Sequence, residues 1–302
     1  MTKIEWVKGP DGHQGITANS KTGCLNHTPE GLCLGGLFPC YAWKLARGRL
    51  KRRYLANDQF ETHKVPHDVP PGLDPFYPRW WPGRLDKIRG LKKPTGIFLD
   101  DMSDWMWEGW PREWTETELQ VMRDCPQHRF YTLTKQPQNL PRWSFPGNCW
   151  AGATATNTSM AWIASKQLSQ IEAGVKFLSI EPLLSWNTST PYTTENIVAG
   201  LNGSLDWLII GAWTGSIEDK YKLRDKYPDL QAMEYGHKMT LQPKIEWVRE
   251  IVEAADKAGI PVFLKHNLRQ LLVPDDCSKP NYLTEDIFWA SEKAQLRQEM
   301  PG

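Results

Sequence analysis

Short apolar runs recur along the chain, each bounded by turn residues: TGIFLDD (95–101), HRFYTLTK (128–135), NCWAGAT (148–154), VKFLSIEP (175–182), LDWLIIGA (205–212) and IPVFLKH (260–266). Each has the length of a buried strand. A further strand is expected within 15–23. Between these runs lie amphipathic stretches with helix punctuation. TETELQVMRDC (115–125) opens on a threonine N-cap and a carboxylate-rich first turn. SMAWIASKQLSQIEAG (159–174) begins at serine and closes at glycine. PKIEWVREIVEAADKAG (243–259) has proline in its first turn and a closing glycine. Strands alternating with helices imply βαβ units and a parallel sheet, so the expected class is α/β; a (β/α) TIM-type barrel often takes this length as a single domain.

Polar residues gather where these strands end: Asp100 and Asp101, Thr134 and Lys135, Thr154, Glu181, then Lys265 and His266. In a parallel barrel that end carries the chemistry. Glu181 and Lys265 directly follow apolar runs; a salt bridge of Glu181 with Lys135 or Lys265 is the structural alternative to a functional role. Three segments interrupt the alternation. Residues 63–94, rich in Pro, Gly and Trp, read as an irregular cover. Residues 185–204 are a polar insertion, and 215–241 a charged lid or exposed helical excursion. The organisation expected is one barrel domain over 1–273, with a cysteine loop at 22–42 and a tail at 274–302.

Composition narrows the function. With 302 residues and 40% hydrophobic positions the chain can bury a sizeable core. The net charge of +1 gives no global preference for nucleic acid, so any such preference must be local. Neither a signal-peptide h-region nor a membrane-spanning apolar run is present, and the expected compartment is the cytoplasm. Three of six cysteines, Cys24, Cys33 and Cys40, crowd into TGCLNHTPEGLCLGGLFPCYA. In a reducing compartment this points to metal or redox chemistry. Cys125, Cys149 and Cys277 are isolated, and Cys149 reads as core.

The C-x8-C-x6-C spacing leaves three readings open. Three thiolates can hold a [4Fe-4S] cluster with one iron free for a substrate or cofactor. They can instead join His27 in a structural zinc site. Or they are unrelated core residues. The glycines Gly35 and Gly36 would let the backbone wrap closely around a cluster.

The order of TKIEW, TGC…C…CYA, MSD, LTK, SIEPLL, LDWLIIG and PVFLK resembles a phage and prokaryotic family of three-cysteine proteins that is grouped as radical-SAM-like. The resemblance runs from about Thr2 to Leu268. It implies a partial or modified (β/α) barrel, a [4Fe-4S] cluster and S-adenosylmethionine (SAM) on the open iron. Both gaps between the cysteines are longer than in the compact C-x3-C-x2-C loop of the best-known radical SAM enzymes. Under this resemblance Asp100, Asp101, Ser103, Asp104 and Thr154 are the cofactor-binding candidates, the first four as acceptors for the methionine ammonium. Lys135, Glu181 and Lys265 are the catalytic candidates, and an electron donor is an implied partner.

After Cys40, YAWKLARGRLKRRYLAN reads as a helix with Lys44, Arg47 and Lys51 on one face, broadened by Arg49, Arg52 and Arg53. Lys44, Arg47, Lys51 and Arg52 are the candidate phosphate contacts. Trp105, Trp107, Trp110 and Trp114 follow the MSD motif, where aromatics beside cations can stack bases; the alternatives are a solvated face for the basic helix and a packed cover over the barrel top for the tryptophans. The functional expectation is an iron–sulfur, radical-SAM-like enzyme that modifies or repairs a nucleic acid or nucleotide. The alternative is a nucleic-acid-binding protein with a structural zinc or iron–sulfur site and no SAM chemistry.

Overall fold

A computed structural model of the chain describes residues 1–61, 69–190, 192–200, 203, 205–272, 288 and 296–302. Residues 63–68 of the expected cover, residues 191, 201, 202 and 204 of the polar insertion, and most of the expected tail, Cys277 included, lie outside the described residues. The chain forms two compact units, Met1–Gly152 with Ile171–Gly174, and Ala153–Gln170 with Val175–Gly302.

In the first unit the strands are β1 (Ile16–Ala18), β2 (Gly96–Leu99), β3 (Arg129–Thr134) and β4 (Cys149–Thr154), whose last two residues belong to the second unit. They are neighbours in chain order. β1 pairs parallel with β2, Ile16 opposite Ile97, and β2 pairs parallel with β3. β2 and β4 are buried at every position, which is why they read as unbroken apolar runs without alternation. In the second unit β5 (Val175–Ile180), β6 (Trp207–Ile210) and β7 (Val262–Leu264) are likewise parallel and in chain order. All six apolar runs are strands, and the expected first strand is β1. Parallel strands alternating with helices make this the expected α/β class, a partial (β/α) TIM-type fold with seven strands where the complete barrel has eight. Among the described residues no helix is long and apolar enough to cross a membrane.

Several local expectations are corrected. The helix before β3 is Arg112–Asp124, not a helix capped by Thr115. Pro111 sits at its N-cap, and Thr115 lies buried within it. Part of the 63–94 segment is regular: Arg79–Trp80 pairs antiparallel with Lys21–Thr22, and Pro82–Arg89 is a helix that buries Leu85 and Ile88. Its prolines look like loop signals, but Pro82 occupies the first helical turn, where no amide hydrogen is needed. The basic stretch after Cys40 is two helices, Tyr41–Arg47 and Lys51–Leu55, separated at Gly48. Gly48 bonds back to the Lys44 carbonyl and then leaves helical geometry (φ −97°, ψ −118°). Lys51 therefore stands on a different helix from Lys44 and Arg47, and the single face expected for the three is not formed.

In the second unit, 215–241 contains the helix Ile217–Arg224 and the hairpin Gln231–Tyr235/Lys238–Gln242, which joins Trp213–Gly215 in a small antiparallel sheet. The polar insertion carries the helix Thr194–Ala199, capped by Thr193. Asn157 caps Thr158–Leu168 through the Met160 amide (3.0 Å), and Gly259, in the left-handed region (φ 67°), ends Ile245–Ala258.

The approach to the cysteine loop is anchored by a buried ion pair. Lys21 Nζ lies 2.7 Å from Glu118 Oε2, and both side chains are wholly inaccessible. Lys21 also donates to Thr115 Oγ1 (2.9 Å) and the Trp105 carbonyl (3.3 Å). Glu118 accepts from Ser20 Oγ (2.7 Å) and Trp105 Nε1 (2.9 Å). Asp100 Oδ1 accepts the Lys21 amide (2.9 Å). Burial, and then the nearby Glu118 carboxylate, push the Asp100 carboxyl well above its ordinary value. Asp100 therefore contributes full stability only below the ordinary carboxylate pKa and loses it as pH rises through its folded value. Removing the cation leaves two buried carboxyls unbalanced. Lys21→Met is expected to lower stability by about 3–5 kcal/mol in urea denaturation, with Lys21→Met/Glu118→Gln recovering much of it. A Lys21→Met protein as stable as the parent would refute the anchor.

Candidate metal centre

The cysteine loop is a compact hairpin. Leu32–Cys33 pairs antiparallel with Phe38–Pro39, with Cys33 opposite Phe38. The reversal needs left-handed backbone at Gly36 (φ 125°) and Leu37 (φ 53°) and closes through the Leu37 amide on the Cys33 carbonyl (2.7 Å). The Cys40 amide bonds to the Gly31 carbonyl (2.9 Å), the Leu34 amide to the Asn26 carbonyl (3.1 Å), and His27 bridges to Cys33. The six residues between the second and third cysteines thus fold back on themselves. Gly23 (φ 78°) delivers Cys24: a Cβ there would stand 2.2 Å from the Phe76 carbonyl oxygen.

Cys24 and Cys33 are buried and Cys40 half-buried; among the described residues all are free thiols. The Trp43 amide donates to Cys40 Sγ (3.5 Å), and nearby backbone amides favour the thiolates: Trp43 and then Ala42 at Cys40, Asn26 at Cys24 and Gly35 at Cys33. An amide donated to sulfur favours thiolate over thiol. Burial outweighs it at all three positions, so every thiol is raised, Cys24 most strongly, with Cys40 and Cys33 adding their repulsion. The Lys135 ammonium opposes that repulsion. Burial alone would lower it, but the charges of Cys33, Asp104, Cys40 and Cys24 together raise it. Its side chain lies against Gly35, where a Cβ would come 2.7 Å from Lys135 Cδ. Among the described residues no group of three or more His, Cys, Asp or Glu stands together as a single-ion metal site; the sulfurs are neighbours through their charge. The donor set nonetheless suits a cationic iron–sulfur core. Buried sulfurs that repel one another as anions, yet have amides nearby, are stabilised as thiolates by bound metal.

The loop after β2 is clamped to the end of β3. Asp104 Oδ1 accepts from Thr134 Oγ1 (2.5 Å) and the Met106 amide (3.2 Å), and Oδ2 accepts the Lys135 amide (2.8 Å). Asp101 accepts from Asn19 Nδ2 (2.7 Å), and its carbonyl from the Tyr41 hydroxyl. The Ser103 hydroxyl is buried and finds no hydrogen-bond partner among the described residues. The structure therefore gathers Cys24, Cys33, Cys40, Asp104 and Lys135 in the first unit. Thr154, Glu181 and Lys265 belong to the second, where Thr154 is buried at the end of β4. Lys265 Nζ meets Glu181 Oε1 at 2.5 Å, so Lys265, not Lys135, is the salt-bridge partner of Glu181.

The aromatic expectation is corrected. Trp105, Trp107, Trp110 and Trp114 are all buried. Trp107 packs edge-on to Trp110 (5.3 Å), and Trp114 stacks on Trp80 (5.2 Å). Trp107, Trp110 and Trp114 belong to the hydrophobic cluster that contains Cys24, and none of the four offers a face to a base. Their Nε1 groups are satisfied internally where burial demands it, as with Trp110 on the Asp104 carbonyl (2.7 Å). Lys44, Arg47, Lys51 and Arg52 are exposed, and Arg47 pairs with Asp74 (3.5 Å). Sequence reasoning missed the amides near the sulfurs, which no side chain announces, and the Lys21–Glu118 pair, whose partners are 97 positions apart.

Asp104→Ala strips three buried donors of their acceptor and is expected to cost about 2–4 kcal/mol in denaturant melts, against about 1 kcal/mol for Thr134→Val. Equal, small effects would refute the clamp.

No curated protein matches the chain. Among solved structures, spore photoproduct lyase complexed with dinucleoside spore photoproduct aligns at TM-score 0.44 and 11% identity, covering 81% of this chain and 74% of that one. Two mutants of the same lyase align at TM-score 0.45 and 11% identity (85% and 77% covered) and at 0.43 and 12% (81% and 74%). A family model described as "Protein of unknown function (DUF5131)" matches residues 1–225, including the cysteine loop and the β2 and β3 motifs. That is well over half of the chain, which belongs to the DUF5131 family.

Proposed function

We propose that Cys24, Cys33 and Cys40 hold a [4Fe-4S] cluster with one iron left to SAM, and that the chain is a radical-SAM-type enzyme modifying or repairing a nucleic acid or nucleotide. The observation that carries the reading is the hairpin that brings Cys33 and Cys40 back together, with the Trp43 amide on the Cys40 sulfur (3.5 Å) and the Lys135 side chain packed against Gly35, its ammonium acted on by all three sulfurs. Such a cluster supplies one-electron reductive cleavage of SAM to methionine and a 5′-deoxyadenosyl radical, given an external electron donor.

This chain's residues supply the setting. The nearby amides and Lys135 balance the negative charge of the sulfurs. Ser103 brings a buried hydroxyl with unused hydrogen-bonding capacity, and Asp101 a carboxylate, to the loop where the methionine ammonium is to be received. Asp104 keeps that loop and Lys135 in fixed register. The indole cluster excludes water from Cys24. Glu181 and Lys265, paired in the second unit, are the candidates for proton transfer and for holding an anionic substrate group.

One observation favours a structural zinc site instead. His27 Nδ1 lies 2.8 Å from the Thr28 carbonyl, the outer contact that metal-bound histidines make, and the His27 main chain pairs with that of Cys33. Metal analysis of anaerobically purified protein decides. About four irons per chain are expected, with visible sulfur-to-iron absorption lost in Cys24→Ala, Cys33→Ala and Cys40→Ala, and retained in His27→Ala. Dithionite with SAM is then expected to release 5′-deoxyadenosine. Stoichiometric zinc lost in His27→Ala, or iron without SAM cleavage, would end the enzyme reading.

A further inference from the structure

A cleft of about 430 Å³ opens in the first unit between β1 and the helices Lys51–Leu55 and Pro82–Arg89. Its walls carry Arg49, Arg53, Arg84 and Lys87. It adjoins a second cleft, about 690 Å³, that again includes Arg53, Arg84 and Lys87. The acidic groups facing this space are few. Asp101 lines the first cleft but is taken by the Asn19 amide, and Asp58 lines the second. No ion pair of Arg49, Arg53, Arg84 or Lys87 is formed among the described residues. Arg84 is held in place instead, by the Asn19 carbonyl (2.6 Å) and by stacking on Trp81 (4.1 Å). Tyr54 hydrogen-bonds to it, and the Asp100 and Asp101 carboxyls act on its charge without forming an ion pair, so the guanidinium is fixed in position and only partly balanced.

We propose that these joined clefts bind the phosphodiester backbone of a nucleic-acid strand, with Arg53, Arg84 and Lys87 as the phosphate contacts. The proposal rests on the nucleic-acid reading above and gives it a location. Arg53, Arg84 and Lys87 line both clefts, so a strand running from one into the other would meet all three, with Arg49 further along the first. Guanidinium forks match phosphate oxygens two at a time. The Trp81 face is covered by Arg84, and Trp80 is stacked on Trp114, so the clefts read phosphates and not bases. An acidic peptide added to the β1 edge is the rival occupant. A strand of three residues offers too few main-chain bonds for that mode.

The test is anisotropy of the full chain, purified anaerobically, with a fluorescent single-stranded oligonucleotide of mixed sequence at several salt concentrations. Arg53→Glu/Lys87→Glu is expected to weaken binding about tenfold or more at low salt and to flatten the log–log salt slope by about 1.4, or 0.7 for each of two phosphates. Arg84→Ala is expected to weaken binding in the same sense. Lys92→Glu/Lys93→Glu, the same charge change at exposed positions outside the clefts, is expected to bind like the parent, and melting curves confirm that each variant folds. Parent protein that does not bind, or a cleft variant that binds no worse than this control, would overturn the proposal. So would a mononucleotide binding as tightly as the strand, or a polyglutamate peptide that displaces it. SAM cleavage without nucleic acid reads the metal chemistry separately, so each proposal can fail alone.

Discussion

The cysteine loop is built around a repulsion. Three sulfurs that would each carry negative charge are drawn into a space that solvates charge poorly; Cys40 makes ionisation of Cys24 and Cys33 harder, and Cys33 adds to the effect on Cys24. A protein with no use for them as ligands would gain by separating them. This chain folds a hairpin to bring them near, aims the Trp43 amide at Cys40, and sets Lys135 beside them.

That arrangement depends on structure brought in from well outside the loop. Lys21 fixes the segment entering it by an ion pair with a helix nearly a hundred residues downstream. Asp104 ties the turn after β2 to the end of β3 and so fixes where Lys135 starts. The MSD and LTK motifs are two halves of this one clamp. Their side chains are bonded mainly to each other, and the tryptophans between them seal the sulfur side of the core.

Much of this was legible along the chain. Strands buried on both faces announce themselves as short apolar runs, and all six were visible because neither face needs a polar residue. The cysteine cluster was equally plain. Elements marked by punctuation of mixed meaning were harder. Pro82 reads as a breaker but opens a helix, whereas Gly48, one glycine in a strongly basic helical pattern, ends one. The tryptophans were open to two readings, base stacking and a packed cover; the cover is what forms, with the Trp105 and Trp110 N–H groups satisfied by Glu118 and the Asp104 carbonyl. Arg84 and Lys87 went unnoticed because they lie in the segment read as irregular cover.

The hairpin between Cys33 and Cys40 also bears on how kindred chains might be found. Its two legs are paired and its tip carries Leu34 and Leu37 out toward solvent. Rungs added to or removed from such a ladder alter its height and leave its feet where they stand. The count of residues separating those two cysteines is thus free to drift while the cysteines keep their places. A search keyed to fixed intervals would pass over true kin; one keyed to the small residues under each sulfur and to the Asp104–Thr134 tie would recover them.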